Sequence, residues 1–286
     1  MKATTYTQLW RQLTPLYDEG EAKAIVQMVM EERFGMSLPD LLCGAMERMT
    51  EAESRDLDIV MQRLVGAEPV QYVLGQASFM GWMFHVEPGV LIPRPETETL
   101  CRWVLDGGMV PGARVLDVGC GSGCIAVSIA LENKDVSVTA WDISPIALKV
   151  TASNAKRLGA KVAVERMDIL EHATADVPEA GQWDVVVSNP PYICECESAA
   201  MHPNVLLHEP REALFVPDSD PLLFYRAIAD YAVGALLPGG ALFFECNPVY
   251  LQPVAEMLRA KGFDVESLAD PFGKTRFLKA IMHHQQ

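Results

Sequence analysis

Apolar residues recur at helical spacing through the first 75 residues, then give way to short apolar runs separated by further helical stretches. Leu57, Val60, Met61, Leu64 and Val65 mark one helix face, and Gly66 follows as its stop. The stretch from Ala22 to Phe34 behaves in the same way and ends at Gly35. Asp18 with Glu21, and Thr50 with Glu53, have the spacing of capping boxes at helix starts. Such stripes predict the core of a small helical bundle. Residues 79–92 are β-rich, and Pro88-Gly89 supplies a turn, which together predict a hairpin between two domains.

From about residue 98 strands and helices alternate. Strands are expected at Arg114–Val118, Val136–Trp141, Val162–Met167, Trp183–Ser188 and Ala241–Glu245, with a shorter pair near Asp264–Leu268 and Arg276–Ile281. A helix should run from Cys124 to Leu131, and Ser144 with Pro145 should open another that ends near Gly159. Apolar strands separated by helices predict a doubly wound α/β fold, a mostly parallel seven-stranded sheet covered on both faces. The expected division is a helical domain over 1–76, a hairpin linker over 77–97 and an α/β domain over 98–286.

Composition narrows the function. Half of the 286 residues are hydrophobic, yet no apolar run reaches the ~18 residues of a membrane helix, and the first residues lack the apolar stretch of a signal peptide. Seven cysteines show no disulfide spacing. Cys120 with Cys124 and Cys194 with Cys196 lack a matching second pair, so no metal is expected. A reducing cytosol and a monomer are expected. The net charge of −15, without a lysine or arginine cluster, argues against a grip on duplex nucleic acid and mildly favours a basic partner surface.

The chemistry concentrates in Asn189-Pro190-Pro191-Tyr192, delivered by the apolar run ending at Ser188. This tetrapeptide suits methylation of a planar NH2 group, whose nitrogen is a poor nucleophile because its lone pair is delocalised. The Asn189 side-chain oxygen and the Pro190 carbonyl can accept both N–H bonds and so turn the nitrogen towards a methyl donor. Two prolines stiffen the turn, and the Tyr192 ring can cover the flat group. The plainer alternative is a proline turn that ends a strand.

Upstream, Asp117-Val118-Gly119-Cys120-Gly121-Ser122-Gly123 follows the first strand and opens a helix. Its glycines, spaced GxGxG, let the backbone turn tightly and approach a ligand. Asp142, at the end of the next strand, can accept two ribose hydroxyls. Asp168, at the end of the third, can accept from an adenine amino group while Met167 or Ile169 packs on the base. Taken alone, each acid is as well explained by a solvated loop or a helix cap. Together the four loops lie at the carboxyl ends of successive strands, where open α/β sheets bind ligands.

These residues resemble the S-adenosylmethionine-dependent methyltransferases, and more closely the HemK/PrmC family, which methylates a glutamine side chain in peptide-chain release factors. The resemblance spans nearly the whole chain. It takes in Pro69-Val70-Gln71-Tyr72 with Gly75, Phe79 with Gly81, Gly89-Val90-Leu91-Ile92-Pro93-Arg94-Pro95-Glu96-Thr97-Glu98, the glycine loop, and Asp142-Ile143-Ser144-Pro145 with Ala147-Leu148. It continues through Asn189-Pro190-Pro191-Tyr192-Ile193 and Glu209-Pro210-Arg211 with Ala213-Leu214. The tetrapeptide alone also fits amino methyltransferases acting on nucleic acid, such as adenine N6; the Ile92–Glu98 run is the family-specific part.

The resemblance implies a methyltransferase sheet, S-adenosylmethionine as donor with S-adenosylhomocysteine as product, and a release factor as protein partner. It places the donor against Gly119, Cys120, Gly121, Ser122, Gly123, Asp142, Asp168, Ile169 and Asn189, and the substrate amide against Asn189, Pro190, Pro191 and Tyr192. Of these Asn189, Pro190 and Tyr192 would be catalytic. Arg94 and Glu96 either line the substrate entrance or form an ion pair that braces the hairpin. Two stretches depart from the family pattern: Phe215–Pro221 replaces a Gly-Gly-x-x-Gly segment, and Glu245-Cys246-Asn247 replaces Glu-Ile-Gly. Asp270, Gly273 and Arg276 keep part of the last family turn.

Overall fold

The structure is a computed structural model that describes residues 5–172 and 181–282. Contacts along the chain divide it into two units, one built on the chain up to Gln76 together with Met201–His208, the other on Ala77–Ala200 and the chain from Glu209.

The first unit contains α1 (Tyr6–Leu13), α2 (Glu19–Phe34), α3 (Leu38–Leu42), α4 (Glu51–Val65) and α5 (Val70–Leu74). Both halves of the Thr50–Glu53 capping box form, whereas Asp18 supplies its half alone by accepting from the Glu21 N–H. Gly35 takes the left-handed conformation that closes α2. After α4 the left-handed residue is Ala67 (φ 64°), not Gly66, whose φ is −76°. Leu13, Val26, Val29, Met30 and Leu64 are fully buried in the bundle core.

The second unit opens with the hairpin of β1 (Gln76–Phe79) and β2 (Trp82–His85). Its turn is Met80-Gly81 and not Pro88-Gly89. The type I′ two-residue turn, one of the two whose twist matches the strands, needs positive φ at both central residues, and Met80 (52°) and Gly81 (79°) both have it. The Glu98 carboxylate accepts the Met80 N–H at 2.8 Å and secures a conformation that methionine rarely adopts.

Then follow α6 (Thr97–Asp106), β3 (Arg114–Val118), α7 (Cys124–Glu132), β4 (Ser137–Asp142), α8 (Pro145–Leu158), β5 (Val162–Arg166), α9 (Ile169–His172), β6 (Trp183–Ser188) and β7 (Ile193–Cys194). The segment Met201–His208, which carries α10 (Pro203–His208), belongs to the helical unit. The chain returns through β8 (Phe215–Val216), α11 (Leu223–Ala235), β9 (Leu236–Glu245), α12 (Leu251–Ala260), β10 (Phe263–Ala269) and β11 (Thr275–Met282).

Seven strands form one sheet in the order β10-β11-β9-β6-β3-β4-β5, in which β11 alone runs against its neighbours. The mostly parallel, doubly wound sheet expected from the sequence is thus present. Alternate residues feed two cores. Leu116, Val186, Leu242 and Phe244 pack with α11 and α12 on one face, while Val115, Val185, Val187 and Phe243 pack with α6, α7 and the hairpin on the other. The short pair β7–β8, not expected from the sequence, ties the chain after Tyr192 to the returning segment at Phe215.

Strand β9 begins five residues before the expected Ala241, because Leu236 already pairs with Trp183 before Leu237–Gly240 bulge out. A Cβ on Gly240 would lie 2.8 Å from the Leu237 carbonyl oxygen and 3.1 Å from those of Asp184 and Trp183. These are backbone atoms fixed by the sheet. Gly240→Ala should therefore destabilise the protein by about 1–3 kcal/mol, the range for overpacking, measured by urea unfolding; unchanged stability would show that the bulge is slack.

Candidate active site

The four strands β4, β3, β6 and β9 lie side by side, and their carboxyl ends carry the site. From β3 the chain winds outward through β4 and β5, then crosses to the other side of β3 to lay down β6. The loops after β3 and β6 therefore diverge from adjacent strands, the arrangement that opens a crevice at a topological switch point.

The glycine loop leaves β3 in a sharp turn, with Gly119, Gly121 and Gly123 all at positive φ. The N–H groups of Gly119 and Cys120 both donate to the Trp141 carbonyl, at 2.8 and 3.0 Å. A Cβ at Gly119 or Gly121 would meet nothing within 4 Å, so open space stands beside the loop. At Gly123 the constraint is reversed: a Cβ there would come within 2.8–3.1 Å of the Thr151 side chain. Cys120 and Ser122 are buried, so the loop offers backbone rather than these side chains.

Asp142, the last residue of β4, holds the loop from the next strand. One carboxylate oxygen accepts the Gly121 N–H and the other accepts the Ser144 N–H, both at 2.9 Å. Burial pushes its carboxyl above the usual range, and these backbone donors oppose the shift. Lone-pair capacity not taken by these backbone donors remains for ligand hydroxyls. Asp168 stands beyond the end of β5, where its Oδ1 accepts the Leu170 N–H at 2.9 Å and caps α9. Ile169, the first residue of that helix, is buried against the sheet.

Two residues that secure the loop escaped the sequence reading. Thr151 on α8 donates to the Gly121 carbonyl at 3.1 Å. Asn154, one turn later and fully buried, donates to the carbonyls of Ser122 and His85 (2.9 Å each) and accepts the His85 N–H at 2.8 Å. It thereby fastens β2 to the glycine loop. Polar side chains three apart on the otherwise apolar buried face of a helix were the available signal.

Strand β6 delivers Asn189 beside this loop, and Ser188 Oγ donates to the Val118 carbonyl at 2.6 Å, joining the two strand ends. Pro190 is buried; Asn189, Pro191 and Tyr192 are half-buried. The Tyr192 and Ile193 N–H groups both donate to the Leu214 carbonyl, at 3.2 and 2.9 Å. Asn189 Nδ2 donates to Thr97 Oγ1 at 3.4 Å, and the Tyr192 hydroxyl donates to Glu245 Oε1 at 3.2 Å. Burial, then the neighbouring Glu245, push the Tyr192 hydroxyl above its usual range, which keeps its proton in place.

Asn247, where the resemblance leads one to expect glycine, is buried and donates to the Tyr192 carbonyl at 3.2 Å and to Glu197 at 3.2 and 3.3 Å. The substitution thus adds a brace to the tetrapeptide. Arg94 pairs with Glu209, not Glu96, at 2.6 Å, and the Glu209 side chain is 1% exposed and also accepts the Ile92 N–H. The Arg94–Glu96 ion pair expected to brace the hairpin is thus not formed; Arg94 and the Ile92 N–H are held by Glu209 instead. Among the described residues no group of three His, Cys, Asp or Glu side chains converges as a metal site.

Asp117 lies below the glycine loop and is fully buried. Its Oδ2 accepts the Ala126 N–H at 3.1 Å, while its Oδ1 has no partner among the described residues. Burial pushes its carboxyl up to about 7, and the Ala126 donor only partly offsets this. An acid with a raised pKa in the folded state stabilises the fold at low pH, and that contribution is lost as pH rises through the raised value. Relative to Asp117→Asn, the ligand-free wild type should lose stability at up to ~1.4 kcal/mol per pH unit between the ordinary carboxyl range and about pH 7. Urea unfolding across that range measures the effect; parallel pH profiles would contradict it.

Comparison with known proteins meets this geometry from the other direction. The family models for the PrmC N-terminal domain and the methyltransferase small domain match residues 8–75 and 104–216. A release factor glutamine methyltransferase of Bacteroides thetaiotaomicron is 42% identical over 270 residues, 94% of this chain and 95% of that protein. One from Bacillus subtilis is 36% identical over 94% of each chain. Among solved structures, a methyltransferase from Pyrococcus furiosus superposes with a TM-score of 0.52 over 80% of this chain and 98% of that one, at 16% identity, and so shares the fold. With a relative this similar along nearly its whole length, and both family models matching in order, the chain belongs to the release factor glutamine methyltransferase family.

Proposed function

We propose that the protein transfers a methyl group from S-adenosylmethionine to the side-chain amide nitrogen of a glutamine in a peptide-chain release factor. The observation that carries this reading is the placement of Asn189-Pro190 at the end of β6, directly beside the glycine loop of β3, at the switch point of the sheet. On this reading the donor and the amide it methylates share one crevice.

The residues fit the donor. Open space beside Gly119 and Gly121 admits a ligand against backbone, Asp142 keeps lone-pair capacity for ribose hydroxyls, and Asp117 Oδ1 is a buried acceptor without a partner among the described residues. Asp168 has its second oxygen for the adenine amino group, with Ile169 packing beside the base. When bound, S-adenosylmethionine supplies an electrophilic methyl carbon on a positively charged sulfur.

The chain's own work is orientation. Asn189 Oδ1 and the Pro190 carbonyl accept the two amide N–H bonds, which turns the nitrogen's remaining lobe towards the donor. Tyr192 covers the flat face of the amide. Alignment of this kind supplies much of the barrier reduction in a displacement that needs no covalent enzyme intermediate. Both acceptors are neutral, so they hold the nitrogen without taking its proton, which leaves to solvent once alkylation has made the nitrogen strongly acidic. The helical unit, which the PrmC N-terminal domain matches, is assigned to gripping the release factor.

Incubation with isotopically labelled S-adenosylmethionine and purified release factors, followed by peptide mapping, should put the label on one glutamine. Label in RNA or DNA instead would move the protein to the nucleic-acid amino methyltransferases. Asp142→Asn should weaken donor binding by about 1.5–3 kcal/mol, the value of a hydrogen bond to a charged group, read by calorimetry. Unchanged affinity would remove Asp142 from the ribose site. Asn189→Ala should lower kcat by about 10²-fold with much smaller change in donor affinity, because its contact is made to the reacting group. A near wild-type rate would reduce Asn189 to the end of a strand.

A further inference from the structure

Behind the tetrapeptide the buried polar atoms form a chain with a direction. Glu245, the last residue of β9, is 1% exposed, and its Oε2 accepts from Thr97 Oγ1 at 2.7 Å. Thr97, at the start of α6, is 2% exposed. A hydroxyl has one proton, and that of Thr97 is committed to the carboxylate, so the oxygen presents a lone pair in its other directions. Asn189 Nδ2 lies 3.4 Å from that oxygen. Facing a lone pair, the Asn189 amide must turn its NH2 inward and its oxygen outward. The flipped amide would set oxygen against oxygen in a buried place, where an unsatisfied polar atom is costly. The second oxygen of the same carboxylate receives the Tyr192 hydroxyl at 3.2 Å. Burial pushes the Glu245 carboxyl up, while the Thr97 bond, the Arg276 charge and the Tyr192 bond hold it down.

We propose that Thr97 and Glu245 are positioning residues for methyl transfer, whose hydrogen bonds fix the outward face of the Asn189 amide as an acceptor. The inference rests on the role given above to Asn189, which needs its oxygen towards the substrate. An amide free to flip would at times offer its own NH2 to the substrate NH2, donor against donor, and those orientations are unproductive. The loss falls on the rate, since Thr97 and Glu245 reach the substrate only through Asn189 and Tyr192.

The test is a double-mutant cycle on the full chain with release factor as substrate. Thr97→Val keeps the side-chain shape and removes the hydroxyl; it should lower kcat by about tenfold or more, with KM for release factor and donor affinity changed less than about threefold. Thr97→Ser should restore most of the rate. In the Asn189→Ala background Thr97→Val should cost nothing further, because the two act as one unit. A wild-type kcat for Thr97→Val, or losses that multiply with those of Asn189→Ala, would overturn the proposal and leave the clamp itself standing. A full rate for Asn189→Ala alone would remove the clamp and this proposal with it. If Thr97→Val does not fold, Glu245→Gln in the same cycle decides, again with non-additive loss expected.

Discussion

Parallel pairing of β3 with both β4 and β6 is the constraint from which the site follows. Val118 is level with Trp141, Asp117 with Val187, and Ser188 with Phe244. Those registers put the next residues, Gly119, Asp142, Asn189 and Glu245, at one height along the sheet edge. Side chains alternate between faces, so a slip of one residue in β6 would exchange Val186 for its neighbours between two filled cores. Packing on both faces therefore secures a register whose benefit appears outside the cores, at the strand ends.

Those ends are crowded with acid. Asp117, Asp142 and Glu245 are each drawn out of water, and burial raises the carboxyl of each above its usual range. The fold meets the cost with different donors: one helical N–H for Asp117, two loop N–H groups for Asp142, two hydroxyls for Glu245. Asp117 and Asp142 flank the glycine loop, so whatever charge they keep there would favour a cationic ligand. Glu245 sits behind the tetrapeptide and acts on orientation.

Much of this was legible in the sequence. Strand patterns with apolar residues on both faces implied the sheet, and the strand expected at Trp183–Ser188 is β6, which ends with Asn189 beside the glycine loop. Local chemistry that ends in backbone, such as the glycines and the prolines, was readable because conformation follows from residue type. Partners that meet only in the fold were not. Thr97 and Glu245 are 148 residues apart, and Thr97 stands in a run, Pro95-Glu96-Thr97-Glu98, whose flanking acids draw attention first. Asn154 lay hidden for a similar reason, since one buried amide replaces hydrogen bonds that two separate backbones would otherwise lack. The hairpin turn was misplaced because Pro-Gly is the stronger local signal, whereas Met80 keeps its positive φ with the help of Glu98, 18 residues further on.

The segment Met201–His208 has a bearing on how the chain comes to be folded. It belongs to the helical unit: His202 stacks on Tyr17 and bonds the Leu16 carbonyl, and His208 bonds the Gly66 carbonyl. Synthesis runs from the amino terminus, and domains generally fold in that order as they emerge. Here the first 76 residues leave the ribosome long before residues 201–208 exist, so the amino-terminal unit stays incomplete until the glycine loop, the acid of β4 and the tetrapeptide have all been made. Its last piece follows the clamp in the chain. A product that stops short of the tetrapeptide therefore also lacks the segment that completes the amino-terminal unit.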